Sequence, residues 1–444
     1  MTAVATSSDR YAEQFARFTQ QTTLPGALAS LRDDAFSCFD RLGFPTTRLE
    51  EWRFTNIARI AEKPFVAPTT RTDYTRADLD ALHLPRLGGP ELVFVNGTFA
   101  PALSTTDGLP AGVRTRSLAT VLAQNHDDDA AAVALHLGRL ARIESQAFTA
   151  LNTAFLCDGA VVEVASGVVV DTPIHLLFVT RSGAAPVLSQ PRVLVVAGAH
   201  SQVRVVESYA GDGETPYLSN TVTEVSVGDA ALIDHYTLVR EADAAFRVGS
   251  LHVTLGRASN FSSHIITLGG AIVRNEARVV LAGEGGECAL NGLYLANGRQ
   301  LVDNQTTIDH AQPHCDSHEL YKGILGGRSR AVFNGKIIVR LDAQKTNAKQ
   351  SNKTLLLSED AQITTKPQLE IFADDVKCTH GATVGQLDQD ALFYLRSRGL
   401  ARDQARQLLT HAFAADLLGH IKVEAIRTQL DAQLLERLPV GVMG

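Results

Sequence analysis

Two short segments concentrate the side chains that bind metals or move protons. The denser one runs from Asp309 to Glu319 and holds His310, His314, Cys315 and His318. Its three histidines stand four residues apart. On a helix that spacing places them on one face, an arrangement suited to zinc. Pro313 argues against a helix through them, because its ring removes an interior hydrogen bond and clashes with the preceding turn. On extended chain, even separations also share a face, at wider spacing. The plainer reading is a polar turn with surface imidazoles. The second segment spans Asp374 to Gly385 and holds Cys378 and His380. In a strand these two point to the same side, with about 7 Å between their Cα atoms. A thiolate and an imidazole converging there suit iron or another soft to borderline metal, and Lys377 is placed to favour the thiolate. The plainer reading is an inert cysteine beside a hydrogen-bonded histidine. Two ligands cannot complete a cluster site, so a second chain or a bound small molecule has to supply the rest.

Other chemistries are argued against by what the chain lacks. Gly335-Lys336 is followed by Ile337, and Arg330 stands where a P-loop needs its first glycine. Gly283-Glu284-Gly285-Gly286 reads as a turn. No G-x-S-x-G nucleophile elbow occurs. The five cysteines, Cys38, Cys157, Cys288, Cys315 and Cys378, are odd in number and never in C-x-x-C spacing. A disulfide framework is therefore not expected, and a reducing, cytoplasmic setting is. A net charge of −7 argues against a nucleic-acid partner. No apolar run is long enough to span a membrane, and the polar Met1–Arg10 stretch does not read as a signal peptide.

The elements that must position these residues fall into three parts: 1–154, mostly helical; 155–386, rich in short β runs; and 387–444, helical. In the first, Leu28, Leu31, Ala35, Phe39 and Leu42 form one apolar helical stripe after Pro25-Gly26, ending at Gly43-Phe44-Pro45. A strand is expected at Glu91–Val95 before the turn pair Asn96-Gly97. A solvated loop is expected at Asp127–Asp129, and a second helix over Leu135 to Leu151. The middle carries strand runs at Ala160–Val164, Val193–Val196, Val203–Val206, Thr221–Val227, Leu251–Leu255, Ala277–Leu281, Ile337–Leu341 and Gln368–Ile371. Glycines, among them Gly198, Gly211, Gly256 and Gly335, separate them. No helical pattern intervenes, which removes the crossovers of a doubly wound sheet. Sandwich, barrel and β-solenoid remain, and the unbroken length slightly favours the solenoid. In the last part, Asp388 suits an N-cap and Gly399 a C′ position. Ala405, Leu408, Leu409, Ala412 and Phe413, then Val423, Ile426, Leu430 and Leu434, form apolar stripes.

The stretch from His310 onward resembles the SufB/SufD family, the scaffold subunits of the SUF iron–sulfur cluster assembly machine. The similarity is carried by Ala331-Val332-Phe333-Asn334-Gly335-Lys336-Ile337, Gln350-Ser351-Asn352-Lys353-Thr354, Thr365-Lys366-Pro367-Gln368 and Cys378-Thr379-His380-Gly381-Ala382-Thr383. The opening segment Arg48-Leu49-Glu50-Glu51-Trp52-Arg53-Phe54-Thr55-Asn56 also resembles the family's N-terminal motif. Within the family, the SufD type is the closer match. The SufB type has His-Glu-Ala-Thr where this chain has His380-Gly381-Ala382-Thr383, and a cysteine where Ser351 or Asn352 stands here.

The resemblance implies a right-handed parallel β-helix core between helical N- and C-terminal domains. It implies a non-catalytic scaffold that pairs with a SufB-like subunit and docks a SufC-like ATPase on its C-terminal helices. A homodimer of the isolated chain is a further option. ATP enters only through the ATPase, and no cofactor is held stably by the chain alone. Cys378 and His380 then form a half-site at the SufB interface for a nascent iron–sulfur cluster, with His380 the stronger candidate. Two alternatives stay open: a β-helix enzyme acting on carbohydrate, which needs two carboxylates flanking a groove, and a self-sufficient SufB-like scaffold.

Overall fold

The computed structural model describes residues 7–22, 24, 26–68, 73–123 and 133–437. The acidic run Asp127–Asp129 and the proposed helix-start residue Pro25 lie outside the described residues. From Phe155 to Asp388 the chain contains no α-helix. Alternate strands go to two sheets, which builds a parallel β-solenoid of about 8 turns. One sheet runs from Thr98–Phe99 and Glu91–Val95 through Ile174–Arg181, Gln202–Asp212, Leu232–Arg240, Asn260–Thr267, Glu287–Ala296, Asp316–Leu325 and Asn347–Leu356 to Lys377–Gly385. The other runs from Val113–Ser117 through Gly159–Val164, Arg192–Ala197, Leu218–Val227, Phe246–Leu255, Ile272–Leu281, Leu301–His310 and Arg330–Val339 to Gln362–Ile371.

From Gly159 onward, parallel pairing puts like positions on top of one another, 26 to 33 residues apart along the chain. In the second sheet, Val162, Val195, Val225, Val253, Val279, Ile308 and Ile337 form one continuous ladder. β-branched side chains pack well on such a pleated face. Val203, Ile233 and Phe261 face them from the first sheet. Burying each such side chain contributes roughly 1.5–3 kcal/mol.

Two glycines expected to separate strands lie inside them. Gly211 belongs to Gln202–Asp212 and Gly335 to Arg330–Val339. A Cβ at Gly211 would overlap the Tyr217 hydroxyl, and one at Gly335 would overlap the Gln350 amide. Both glycines therefore mark a close approach of a side chain rather than a break.

The N-terminal helix Gly26–Leu42 buries Leu28, Ala35 and Phe39, as its stripe predicts, and ends at Gly43 with φ +61°. The Glu91–Val95 strand pairs with Thr98–Phe99 across Asn96-Gly97, both at positive φ. The helix expected over Leu135–Leu151 is interrupted. The chain is helical at 133–136 and again at Ala147–Ala154. Between them Gly138 takes φ +74°, and the wholly buried Glu224 carboxylate accepts hydrogen bonds from the Gly138, Leu140 and Ala141 amides. A charged acceptor captures three N–H groups that a helix would have bonded internally.

The segment Arg48–Asn56 ties the helical region to the solenoid. The Arg274 guanidinium lies 3.8 Å from the Trp52 ring and donates to the Glu51 carbonyl at 2.9 Å. Thr55 Oγ1 donates to Asp303 at 2.6 Å, and Lys366 bonds Glu50.

At the other end come helices Gln389–Ser397, Arg402–Leu418 and Glu424–Arg437. Asp388 caps the first by accepting from the Asp390 and Ala391 amides, and Gly399 follows it at φ +94°. Ile426, Leu430 and Leu434 are buried as expected. The stripe on Arg402–Leu418 is rotated from expectation: Ala405, Thr410, Ala414, Leu417 and Leu418 face inward, while Leu408 and Ala412 are exposed. The reason is Lys322, which rises from the solenoid wall to bond the Phe413 carbonyl and Asp416 and so fixes the helix's rotation. Among the described residues, no helix is long and apolar enough to cross a membrane.

Candidate functional site

The Asp309–Glu319 ligands are not brought together. His310 ends a strand of the second sheet and is wholly buried, in a ladder between Leu281 and Val339. Its Nε2 lies 2.9 Å from Ser317 Oγ, and burial pushes its pKa down to about 4, so the ring is neutral. His314 sits in the following turn at φ +59°. His318 belongs to the other sheet and is exposed. Cys315 is buried, its Sγ 3.4 Å from the Gly283 carbonyl, and burial raises its pKa. The turn at Pro313 sends the chain from one sheet to the other, which separates the histidines. Among the described residues, no group of three or more His, Cys, Asp or Glu side chains is placed to hold a metal ion.

Cys378 and His380 lie on Lys377–Gly385, the outermost strand of the first sheet. Strand alternation puts both on its inner face, in register with Ala348 and Gln350 beneath. The His380 side chain is exposed and has no hydrogen-bond partner among the described residues. Cys378 is half-buried and packs against the buried cluster of Ile337, Val339, Ala343, Ala348 and Ala373. Burial raises its thiol pKa, opposed by a hydrogen bond from the Ala348 backbone. Lys377 falls on the opposite face of the strand, so the expected help from Lys377 toward a thiolate is not found. A metal entering here has to displace the thiol proton. The pair thus places one imidazole and one thiol on the outermost strand.

The inner face below this pair is polar, which the sequence reading missed. His235, Ser263, Leu290, Glu319, Gln350 and His380 stand one above another on successive rungs. The Gln350 amide donates to Glu319 Oε2 at 2.6 Å. Burial pushes the Glu319 pKa up to about 7, opposed by Thr306 and Gln350. The alternation Gln350-Ser351-Asn352 was the available signal, since a strand places Gln350 and Asn352 on one face.

A Glu91–His175–Ser208 relay was also missed: His175 Nδ1 lies 2.9 Å from Glu91 Oε2 and Nε2 lies 2.8 Å from Ser208 Oγ. The Ser208 hydroxyl is wholly buried. A nucleophile needs a path to substrate, so here these three residues act as an internal hydrogen-bond network.

Around the terminal strands several large apolar side chains face solvent: Leu341, Phe372 and Val384 near the last rung, and Phe393, Tyr394 and Leu408 on the helices. Lys345, Lys349 and Lys377 rim a depression beside Cys378. The strands Gln362–Ile371 and Lys377–Gly385 each end a sheet, with no further strand paired to them among the described residues.

Comparison with known proteins agrees with this architecture. Residues 178–413 match the SufBD core domain of the SUF system for FeS cluster assembly, and residues 5–176 match the SufBD protein N-terminal region. The chain is 35% identical over 411 residues to the iron–sulfur cluster assembly SufBD family protein slr0076 of Synechocystis, covering 91% of this chain and 89% of that one. It is 30% identical over 404 residues to the iron–sulfur cluster assembly protein SufD of Escherichia coli, covering 90% and 91%. The SufD protein of Bacillus subtilis is 27% identical over 434 residues, covering 96% and 97%. With family matches across both its N-terminal region and its solenoid, the chain belongs to the SufBD family of iron–sulfur cluster assembly proteins.

Proposed function

We propose that this chain is a SufD-type, non-catalytic scaffold subunit that acts in the cytoplasm. It pairs with a SufB-like subunit through the terminal rung of the solenoid and lends His380 and Cys378 to a nascent iron–sulfur cluster. The observation that carries this reading is the half-site: an exposed imidazole and a half-buried thiol on one face of the outermost strand. Open parallel edges at Gln362–Ile371 and Lys377–Gly385 favour a partner, because an uncovered edge otherwise templates aggregation. A SufC-like ATPase docks on residues 387–444, a reading supported by the exposed Phe393, Tyr394 and Leu408. Residues 155–386 then form the rigid frame and 1–154 the opposite cover.

The test is anaerobic assembly with ferrous iron and sulfide on the complex of this chain with its SufB-like and SufC-like partners. His380→Ala lowers cluster yield while all three subunits still co-purify. An unchanged yield removes His380 from the site. Full cluster loading on the isolated chain overturns the half-site reading altogether.

A further inference from the structure

An amide in a parallel ladder has one neighbour below and one above, each about 4.8 Å away. For Gln350 the neighbour below is Glu319 and the neighbour above is His380. The Gln350 side chain is held in one orientation. Its Nε2 donates to Glu319 Oε2 at 2.6 Å. The glycine at 335 leaves the room it occupies, since a Cβ there would overlap the amide. With the nitrogen committed downward, the carbonyl Oε1 is left buried and without a hydrogen-bond partner, on a residue only 3% exposed. Buried carbonyls without partners are uncommon, and each calls for an explanation.

We infer that Gln350 is a positioning residue for His380: its buried amide carbonyl accepts a hydrogen bond from one imidazole N–H once a partner covers the last rung. That bond fixes the ring's tautomer and leaves the other nitrogen, unprotonated, for the metal. Histidine ligands characteristically donate their second N–H to such an acceptor, and the acceptor sets both orientation and basicity. Glu319 acts one step further back by holding the amide. The inference rests on the reading of His380 as a cluster ligand.

The test uses the complex with its SufB-like and SufC-like partners, and ferrous iron as the probe. Gln350→Met removes the acceptor at similar volume. It weakens ferrous-iron binding roughly 10–100-fold, the usual cost of losing such an outer partner. A second readout is ring ¹⁵N NMR on histidine-labelled protein, with the His380 signals assigned by their loss in His380→Ala. Wild type shows one tautomer and Gln350→Met a mixture. The exchanged pair Glu319→Gln with Gln350→Glu restores an acceptor at 350 and, with it, the single tautomer. If Gln350→Met does not assemble, the exchanged pair decides alone: a tautomer mixture there overturns the inference. If His380→Ala abolishes iron binding while Gln350→Met leaves affinity and tautomer unchanged, this inference fails and the half-site stands. If His380→Ala is silent, both fall.

Discussion

Glu319 makes the stability of this chain fall as pH rises, and the size of the effect follows from its surroundings. The carboxyl is buried, with the neutral Gln350 amide as its hydrogen-bond partner. Among the described residues no cation balances a negative charge there, so burial raises its pKa from 4.5 to about 7. In the unfolded chain the group ionises near 4.5; in the folded chain it keeps its proton up to about 7. Between those values the folded state binds more protons, so stability declines as pH rises and levels off above 7. At about 1.4 kcal/mol per pKa unit, the shift corresponds to about 3 kcal/mol. Glu319→Gln removes the charge and keeps the shape. Urea unfolding of wild type and variant across pH 5 to 9 measures the difference, with all other titrations common to both. The variant gains on wild type by up to about 3 kcal/mol toward high pH, with most of the gain complete by neutrality. A difference that stays constant across this range refutes the argument that Glu319 is buried without a balancing charge.

Two further substitutions test how the frame is held. Glu224→Gln leaves the buried Arg192 guanidinium without its carboxylate partner, which now sits 2.6 Å away. It costs about 3–5 kcal/mol, and hydrogen exchange at the Gly138, Leu140 and Ala141 amides accelerates, because the same carboxylate holds all three. Gly335→Ala pushes a methyl group into the Gln350 amide and costs about 1–3 kcal/mol in thermal or urea unfolding. Combined with Gln350→Ala the penalty is less than additive, since the clashing group is gone.

How much of this was legible depended on which way the polar residues face. The strand runs read from the sequence were almost all from the second sheet, where Val195, Val225, Val253 and Val279 stack. The first sheet was nearly invisible, with only Glu91–Val95 and Val203–Val206 expected from it. Its strands carry His235, Ser263, Glu319, Gln350 and Asn352 on the inner face, so inside and outside are both polar and the usual alternation vanishes. The expected strands were also short, because polar halves such as Asn275 and Asn304 lie inside and bond each other at 3.0 Å. Pairing with neighbouring rungs satisfies these groups, and no single rung's sequence displays that. The interruption near Gly138 was hidden for the same reason: its cause, Glu224, lies 86 residues away. The Asp309–Glu319 cluster misled in the opposite direction. Its spacing suggested convergence, and a turn between sheets dispersed it.

The inner lining also changes character along the axis, and this bears on what the chain can do alone. One first-sheet ladder begins Val203, Ile233, Phe261 and continues Cys288, Ser317, Ala348, Cys378. Large apolar groups give way to small or polar ones toward the open end. Less apolar area is buried per rung there, so the last turns draw less stability from their own core. Gln362–Ile371 and Lys377–Gly385 are correspondingly the least buried strands of the solenoid wall. A solenoid needs a cover on its terminal rung. The N-terminal end receives one from Val113–Ser117 and Glu91–Val95, which extend both sheets. Among the described residues the C-terminal helices pack mainly on the outer wall, beside Val206, Tyr236, Leu293 and Ile324, and leave the last inner face open. Placing Gln350, His380 and Cys378 there instead of aliphatic side chains forgoes free energy of burial, which a partner covering this end under the proposed function would recover. The same choice of residues therefore weakens the isolated end, which is where the proposed function puts a shared site.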